Sequence, residues 1–347
     1  MVLLFAAYNH NLLSGYTGYY AGLANQGIIT GLSSNTISYI IFGLLFLTAI
    51  YLIVIFQTRY LVKTKRILKQ REKNLEQMAG QKAVLELKNK NITDSLIYAQ
   101  RIQEALLPSE EYFRTHFQDS FIFFRPKDIV SGDFYWIGER GKKIFIAGAD
   151  CTGHGVPGAL LSMIGLEIIE RTINKDNIEK PSEILAVLNK ELEKTFSREK
   201  NIGTIIRDGM DIGFCMIDRS TRKAEYAGAF FPLYLIRNNS LTEIKGDKII
   251  IGMNPAGMPY TNHIFDLQDD DILYIFSDGY VDQFGGSDNK KFMYRRFRYL
   301  LNTIHRFPLS DQKAILDENI NTWMAGNPQV DDIMVIGFKP FTGKESK

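Results

Sequence analysis

Residues 143–159 read KIFIAGADCTGHGVPGA. The apolar run from Lys143 to Ala149 has strand character and ends on a carboxylate, Asp150, after which a Gly-rich loop leads into a helical pattern over Val156 to Ile173. Two further apolar runs adjoin acids: ILYIF at 272–276 leads to Ser277-Asp278-Gly279, and Asp331-Asp332 opens IMVIGF at 333–338. Another island, Ser131-Gly132-Asp133, stands before FYWI. A strand end holds a carboxylate rigidly, so several such ends can converge on hard cations bound through oxygen. Taken singly, each island is most often an ordinary turn.

Composition narrows the classes. The chain has 347 residues, more than one typical domain, and its hydrophobic share of 45% supplies a core and a membrane segment together. Lys and Arg number 41 against 39 Asp and Glu, so the net charge of +2 gives no global reason to expect nucleic-acid binding. Cys151 and Cys215 are the only cysteines, which excludes a disulfide framework or a Cys-rich zinc site and fits a reducing compartment for the soluble part.

Met1 to Thr58 contains no Asp, Glu, Lys or Arg, and Ile37 to Phe56 is almost continuously apolar. At about 1.5 Å per residue this stretch matches the ~30 Å hydrocarbon core of a bilayer, so residues 36–57 are expected to form a transmembrane helix. Arg59, Lys63, Lys65, Arg66, Lys69, Arg71 and Lys73 follow almost without acids, and the positive-inside rule places them and the chain beyond in the cytoplasm. The expected location is the cell (inner) membrane, single-pass, with a cytoplasmic C-terminal module. Residues 1–35 are uncharged, rich in Gly, Tyr and Asn, and lack the basic n-region of a signal peptide. They are expected to form a short extracytoplasmic or weakly membrane-associated segment.

Residues 59–107 have helix composition, rich in Lys, Glu, Gln and Leu, with Gly80 as the only glycine from Tyr60 to Leu107 and no proline until Pro108. Two seven-residue ladders run through them, Leu61, Leu68, Leu75 and Leu96 on one, Met78, Leu85, Ile92, Ala99 and Leu106 on the other. Their offset is a/d spacing, which predicts a coiled-coil signalling helix and a homodimer through residues 61–106. Lys82, Asn89 and Gln103 interrupt the first ladder, and polar residues there weaken a coiled coil while setting its register. A solvated single helix packing its stripe on its own domain is the alternative.

From about residue 112 to 340 the pattern changes to short apolar runs separated by Gly, Asn and Asp. Strands are expected at Phe121 to Phe124, Phe134 to Ile137, Lys143 to Ala149, Gly213 to Ile217, Leu233 to Ile236, Ile272 to Phe276 and Ile333 to Phe338. Besides Val156 to Ile173, helices are expected at Ser182 to Phe196, Lys291 to Thr303 and Asp311 to Met324. Successive strands with paired helices inserted predict α+β layers.

The ordered set SGDFYW, ADCTGHGVPGALLSMIG, FSDGYVDQFGG and DDIMVIGF resembles the SpoIIE-type serine/threonine phosphatases of the metal-dependent protein phosphatase (PPM) superfamily. The resemblance covers Phe121 to Lys339 and implies an α-β-β-α sandwich of two antiparallel sheets flanked by helices. It implies two divalent cations, Mn²⁺ or Mg²⁺, and a metal-activated water that attacks phosphorus in line. By the same resemblance Asp150 bridges the metals, the backbone carbonyl of Cys151 ligates one, Asp278 and Asp331 complete the second, and Asp133 lies at the first. Asp332 is the fallback for Asp331. His154 is a candidate general acid, although its loop is longer than in the wider superfamily, and the reading that it shapes the loop and begins the following helix ranks above that role. Arg125 and Lys127 are the candidates for a phosphate-binding cation. Asp208 and Asp211 lie either near a third metal or at the cap of a strand. A thiol at Cys151 could oxidise and shut the site.

These expectations describe a membrane-tethered phosphatase acting on phosphoserine or phosphothreonine of a regulatory partner, such as an anti-anti-sigma-like protein, controlled through a dimeric linker helix. A catalytically silent phosphoprotein-binding scaffold is the alternative, which retention of all the acids opposes.

Overall fold

The computed structural model of the chain describes residues 34–175, 177–197, 208–254 and 256–342, together with 18, 19 and 22. The expectation for residues 1–35 therefore lies almost wholly outside the described residues. Helix α1 (Ser34–Leu106) is a single uninterrupted helix of 73 residues that joins the apolar stretch and the heptad stretch. It is long and apolar enough to cross a membrane. The chain divides into two compact units, Met1–Asn89 and Lys90–Lys347, and the division falls inside α1.

In the second unit, α1 ends just before Pro108, which cannot continue a helix. A short helix α2 (Glu110–His116) restarts at once, capped by Ser109, whose hydroxyl accepts from the Tyr112 amide at 3.0 Å. Ten strands then build two five-stranded antiparallel sheets. The first contains β1 (Ser120–Arg125), β6 (Leu233–Arg237), β7 (Ser240–Ile244), β9 (Ile272–Phe276) and β12 (Ile333–Phe338), in the order β1-β12-β9-β6-β7. The second contains β2 (Phe134–Arg140), β3 (Lys143–Cys151), β4 (Met210–Asp218), β5 (Lys223–Ala229) and β8 (His263–Asp266), in the order β2-β3-β4-β5-β8. Helices α3 (Val156–Asn174) and α4 (Pro181–Ser197) pack with the second sheet. Beyond the one-turn α5 (Gly279–Asp282) and the hairpin β10 (Phe284–Gly285) and β11 (Lys290–Lys291), α6 (Met293–Ile304) and α7 (Leu309–Met324) cover the first sheet.

Side-chain alternation makes this a four-layer body. Along β3, Ile144 and Ile146 join the core between the sheets, whereas Phe145, Ala147 and Ala149 join the core under α3 and α4. In the opposite sheet, Met334, Ile336 and Phe338 of β12 face inward, and Ile333 and Val335 face α6 and α7. Strands buried on both faces read as continuous apolar runs, which is why they were legible in sequence. The order of layers is the expected α-β-β-α sandwich.

Candidate active site

Antiparallel register decides which acids meet. Phe134 pairs with Ala149, so Asp133, just before β2, lies beside Asp150 in β3. In the next pair Asp150 is directly opposite Asp211 of β4. In the other sheet Val335 pairs with Phe276, bringing Asp278 and the Asp331-Asp332 pair to the same end. The five acid-bearing segments thus converge where the two sheets end. Close approach there depends on Gly279: a Cβ would sit 1.8 Å from the Asp332 carbonyl oxygen.

A cavity of about 250 Å³ opens at this point, lined by Asp150, Cys151, His154, Asp211, Ile250 and Asp331 among others. Asp133 lies behind it, 1% exposed, with Oδ2 accepting from the Ser277 hydroxyl at 2.5 Å. Burial, then the charges of neighbouring aspartates, pushes the Asp150 carboxyl well above the usual carboxylate range. Asp133 is pushed up by burial against the opposing Ser277 bond, and Asp331 is raised by burial. Burial and Asp282 hold Asp278 at about 6, while burial and Asp278 hold Asp211 at about 7. Among the described residues no Lys, Arg or His forms an ion pair with any of these five acids. An anionic cluster of one buried and four half-buried carboxylates with no ion-paired protein cation fits hard divalent cations, which prefer carboxylate and carbonyl oxygen. Among the described residues, no three acid, His or Cys side chains close a coordination sphere by themselves, so bound ions would draw further ligands from backbone carbonyls and water.

The adjacent acids Asp331 and Asp332 differ in their surroundings. Asp332 is 3% exposed, and its two carboxylate oxygens accept from the Lys127 amide at 2.6 Å and the Gly132 amide at 2.7 Å. It ties the 127–132 loop to β12. Asp331 lines the cavity, and its carboxylate accepts from the Asp332 amide at 2.9 Å.

The loop after Asp150 is held from several sides. Thr152 donates from its amide and its hydroxyl to the Gly209 carbonyl, both at 2.9 Å, and its hydroxyl accepts from the Gly209 amide at 3.1 Å. Gly155, the N-cap of α3, has φ +68°, a left-handed backbone that glycine adopts without a Cβ penalty. His154 lines the cavity, with Nδ1 2.6 Å from Oδ2 of Asp128. Arg125 donates to Asn321 at 2.7 Å and pairs with Asp317 at 3.5 Å, both on α7. The Lys127 side chain, by contrast, has no hydrogen bond or ion pair among the described residues, and its charge acts on Asp331. Cys151 is 3% exposed, and burial followed by the Asp150 charge keeps its thiol protonated. A buried thiol of that kind is unreactive, which opposes the oxidation expectation.

Two residues acquire a place that sequence reasoning did not give them. Asp211, read from sequence only as near a third metal or at the cap of a strand, is part of the cavity wall. Gln103, read as a polar interruption of a coiled-coil seam, is 4% exposed inside the catalytic unit. Its Nε2 donates to the Ser131 carbonyl at 2.7 Å and to the Ser162 hydroxyl at 2.9 Å, and its Oε1 accepts from the Ser131 amide at 3.0 Å. The signal lay in the Gln standing so close to Pro108, beyond the reach of a free linker.

The family described as Stage II sporulation protein E (SpoIIE) matches residues 140–340. The chain is similar to the solved SiaA-PP2C domain of Pseudomonas aeruginosa, with 33% identity and a TM-score of 0.66, over 72% of this chain and 98% of that one. It shares its fold with the PP2C phosphatase domain and regulatory fragment of SpoIIE from Bacillus subtilis, at 16% identity and TM-score 0.51, over 64% of this chain and 62% of that one. No curated protein matches the sequence. With the acids at one end of a PP2C-type sandwich and the match spanning more than half of its length, the chain belongs to the SpoIIE family of PP2C-type serine/threonine phosphatases.

Proposed function

We propose that this phosphatase is metal-dependent and membrane-tethered, and that it removes phosphate from phosphoserine or phosphothreonine of a regulatory partner protein. The observation that carries the metal reading is the cluster of Asp133, Asp150, Asp211, Asp278 and Asp331, one buried and four half-buried, none of them ion-paired to a protein cation among the described residues. Asp150, the Cys151 carbonyl, Asp278 and Asp331 would hold two divalent cations, Mn²⁺ or Mg²⁺, with Asp133 contributing directly or through water. When bound, such ions polarise the phosphoryl oxygens and acidify a water nucleophile.

The chain's own residues supply the rest. Lys127, uncommitted beside Asp331, is placed to hold the substrate phosphate, whereas Arg125 is engaged by α7. Asp128 holds Nδ1 of His154, leaving Nε2 to carry a proton and release it to the departing serine or threonine oxygen. Thr152, Gly153 and Ile250 complete the lining of the cavity that would receive the phosphorylated residue.

The exposed leucine seam at Leu61, Leu68, Leu75 and Leu85 supports a homodimer through the linker helix. Its continuity with the apolar stretch supports a single membrane span at residues 36–57, with the catalytic unit on the cytoplasmic side. A silent scaffold would have no need of five mutually repelling carboxylates at one sheet end.

The decisive experiment is hydrolysis of a phosphoserine peptide by the full chain in detergent with Mn²⁺, compared with Asp150→Asn and Asp278→Asn. Turnover that persists in chelator, or that survives both substitutions, overturns the metal assignment.

A further inference from the structure

The apolar part of α1 is followed by charged residues whose arrangement around the helix is more specific than topology alone requires. At about 100° per residue, Arg59, Lys63, Arg66, Lys69 and Lys73 fall within an arc of about 120°. Leu61, Leu68 and Leu75 lie on the opposite side, their direction about 160° from the centre of that arc. Lys65 and Arg71 fall outside it. All five cations of the arc are solvent-exposed, as are the three leucines. Among the described residues none of the five has an ion-pair partner; within residues 59–107 the ion pair that forms is Lys82 with Glu86.

Direction adds to position. Side chains on a helix lean toward its N-terminus, which here is the end carrying the apolar stretch. Long Lys and Arg side chains therefore reach back toward the boundary at Thr58 and Arg59 and keep their charged heads at the polar side of it. With a Debye length of about 8 Å in physiological salt, Arg59, Lys63 and Arg66 stand within the field of a charged surface at that boundary, and Lys69 comes within about one Debye length by its backward lean, whereas Lys73, about 21 Å along the helix from Arg59, stays beyond it.

We propose that Arg59, Lys63, Arg66 and Lys69 form a binding face for anionic phospholipid headgroups of the leaflet next to Arg59. The occupant follows from charge complementarity and from continuity with the apolar stretch: an unpaired cationic face, directed at a bilayer surface, meets phosphate there. The leucine seam on the opposite side stays free for a second copy, so lipid and seam do not compete for one face. This inference rests on the reading that residues 36–57 span a membrane.

The test is reconstitution of the full chain into nanodiscs assembled from phosphatidylcholine and phosphatidylglycerol at 4:1, with the lipid ratio of purified protein-containing discs measured by mass spectrometry against empty discs. The expected result is phosphatidylglycerol enriched about twofold or more in parent discs and returned to the bulk ratio by Lys63→Gln, Arg66→Gln and Lys69→Gln together or by ~0.5 M salt. The charge-retaining pair Arg66→Lys and Lys69→Arg should keep the enrichment. A bulk ratio in the parent discs, or enrichment that survives the triple neutralisation, overturns the proposal. A chain that fails to enter discs and leaves vesicles in alkaline carbonate overturns the membrane reading itself, a result distinct from an inserted chain without lipid preference.

Discussion

Gln103 and Ser131 share two hydrogen bonds, from Gln103 Nε2 to the Ser131 carbonyl at 2.7 Å and from the Ser131 amide to Gln103 Oε1 at 3.0 Å. The pair joins the last turn of α1 to the residue before Gly132-Asp133, and the same Gln103 amide reaches Ser162 on α3. Gln103→Ala leaves buried groups on Ser131 unpaired, at about 1–3 kcal/mol each. We expect a lower melting temperature and a fall in kcat/KM of about 10- to 100-fold, since small misplacements at a site are costly. Gln103→Glu retains the acceptor for the Ser131 amide and should lie between parent and alanine variant. Parent-like kinetics for Gln103→Ala would show that this contact does not position the acid loop.

The two neighbouring aspartates should part company under mutation. Asp332→Asn weakens the charge-assisted bonds to Lys127 and Gly132, so thermal stability should drop by about 1–3 kcal/mol along with activity. Asp331→Asn removes a cavity ligand and should abolish most activity while leaving the melting temperature of the metal-free protein unchanged or raised, because a like charge has gone. The reverse pattern would exchange their roles.

Much of this site could be read from sequence because its strands are buried on both faces. Lys143–Cys151 and Ile333–Phe338 announce themselves as apolar runs, and the register brings the acids at their ends to one end of the sheets. Two of the four edge strands were silent. Ser240–Ile244 and His263–Asp266 each close one side of their sheet, half-exposed and mixed in polarity, and neither bears an apolar run. Lys223–Ala229 is buried but built from Ala, Gly and charged residues with little strand propensity. Gln103 was misread because heptad spacing says which face a residue occupies and nothing about what packs there. Asp331 and Asp332 could not be separated by spacing, since their distinction lies in two amides contributed by a loop some 200 residues earlier, at sequence separations of 205 and 200.

Ser277 is a support for the acid cluster that contributes no carboxylate. Its hydroxyl donates to Asp133 Oδ2 at 2.5 Å and accepts from the Met334 amide at 3.0 Å, linking β12 to the buried acid. Ser277→Ala removes the bond that favours ionised Asp133, so Mn²⁺ affinity should weaken about 10- to 100-fold, the range seen for outer-sphere partners of metal ligands. Calorimetric titration of the metal-free protein measures this directly. An unchanged dissociation constant would mean that Asp133 takes no part in holding the ion.

The charge state of the cluster yields a linkage prediction with a defined sign. Asp278 is raised to about 6 and Asp211 to about 7, with Asp133 and Asp150 displaced the same way, against about 3.9 for an unfolded aspartate. Between those values the folded chain binds more protons than the unfolded chain. The slope of unfolding free energy with pH, proportional to protons bound unfolded minus folded, is then negative. These groups stabilise the metal-free fold fully below the unfolded value, and that contribution is lost as pH rises through about 6 to 7. Divalent ions take the place of the protons, so Mn²⁺ should raise the melting temperature little at pH 5 and substantially at pH 7.5. Asp278→Asn should flatten both the pH slope and the metal response. Scanning calorimetry of the full chain in detergent, with Mn²⁺ or chelator at the two pH values, provides the comparison. Equal metal-induced shifts at both would mean that protons and cations do not compete for these carboxylates.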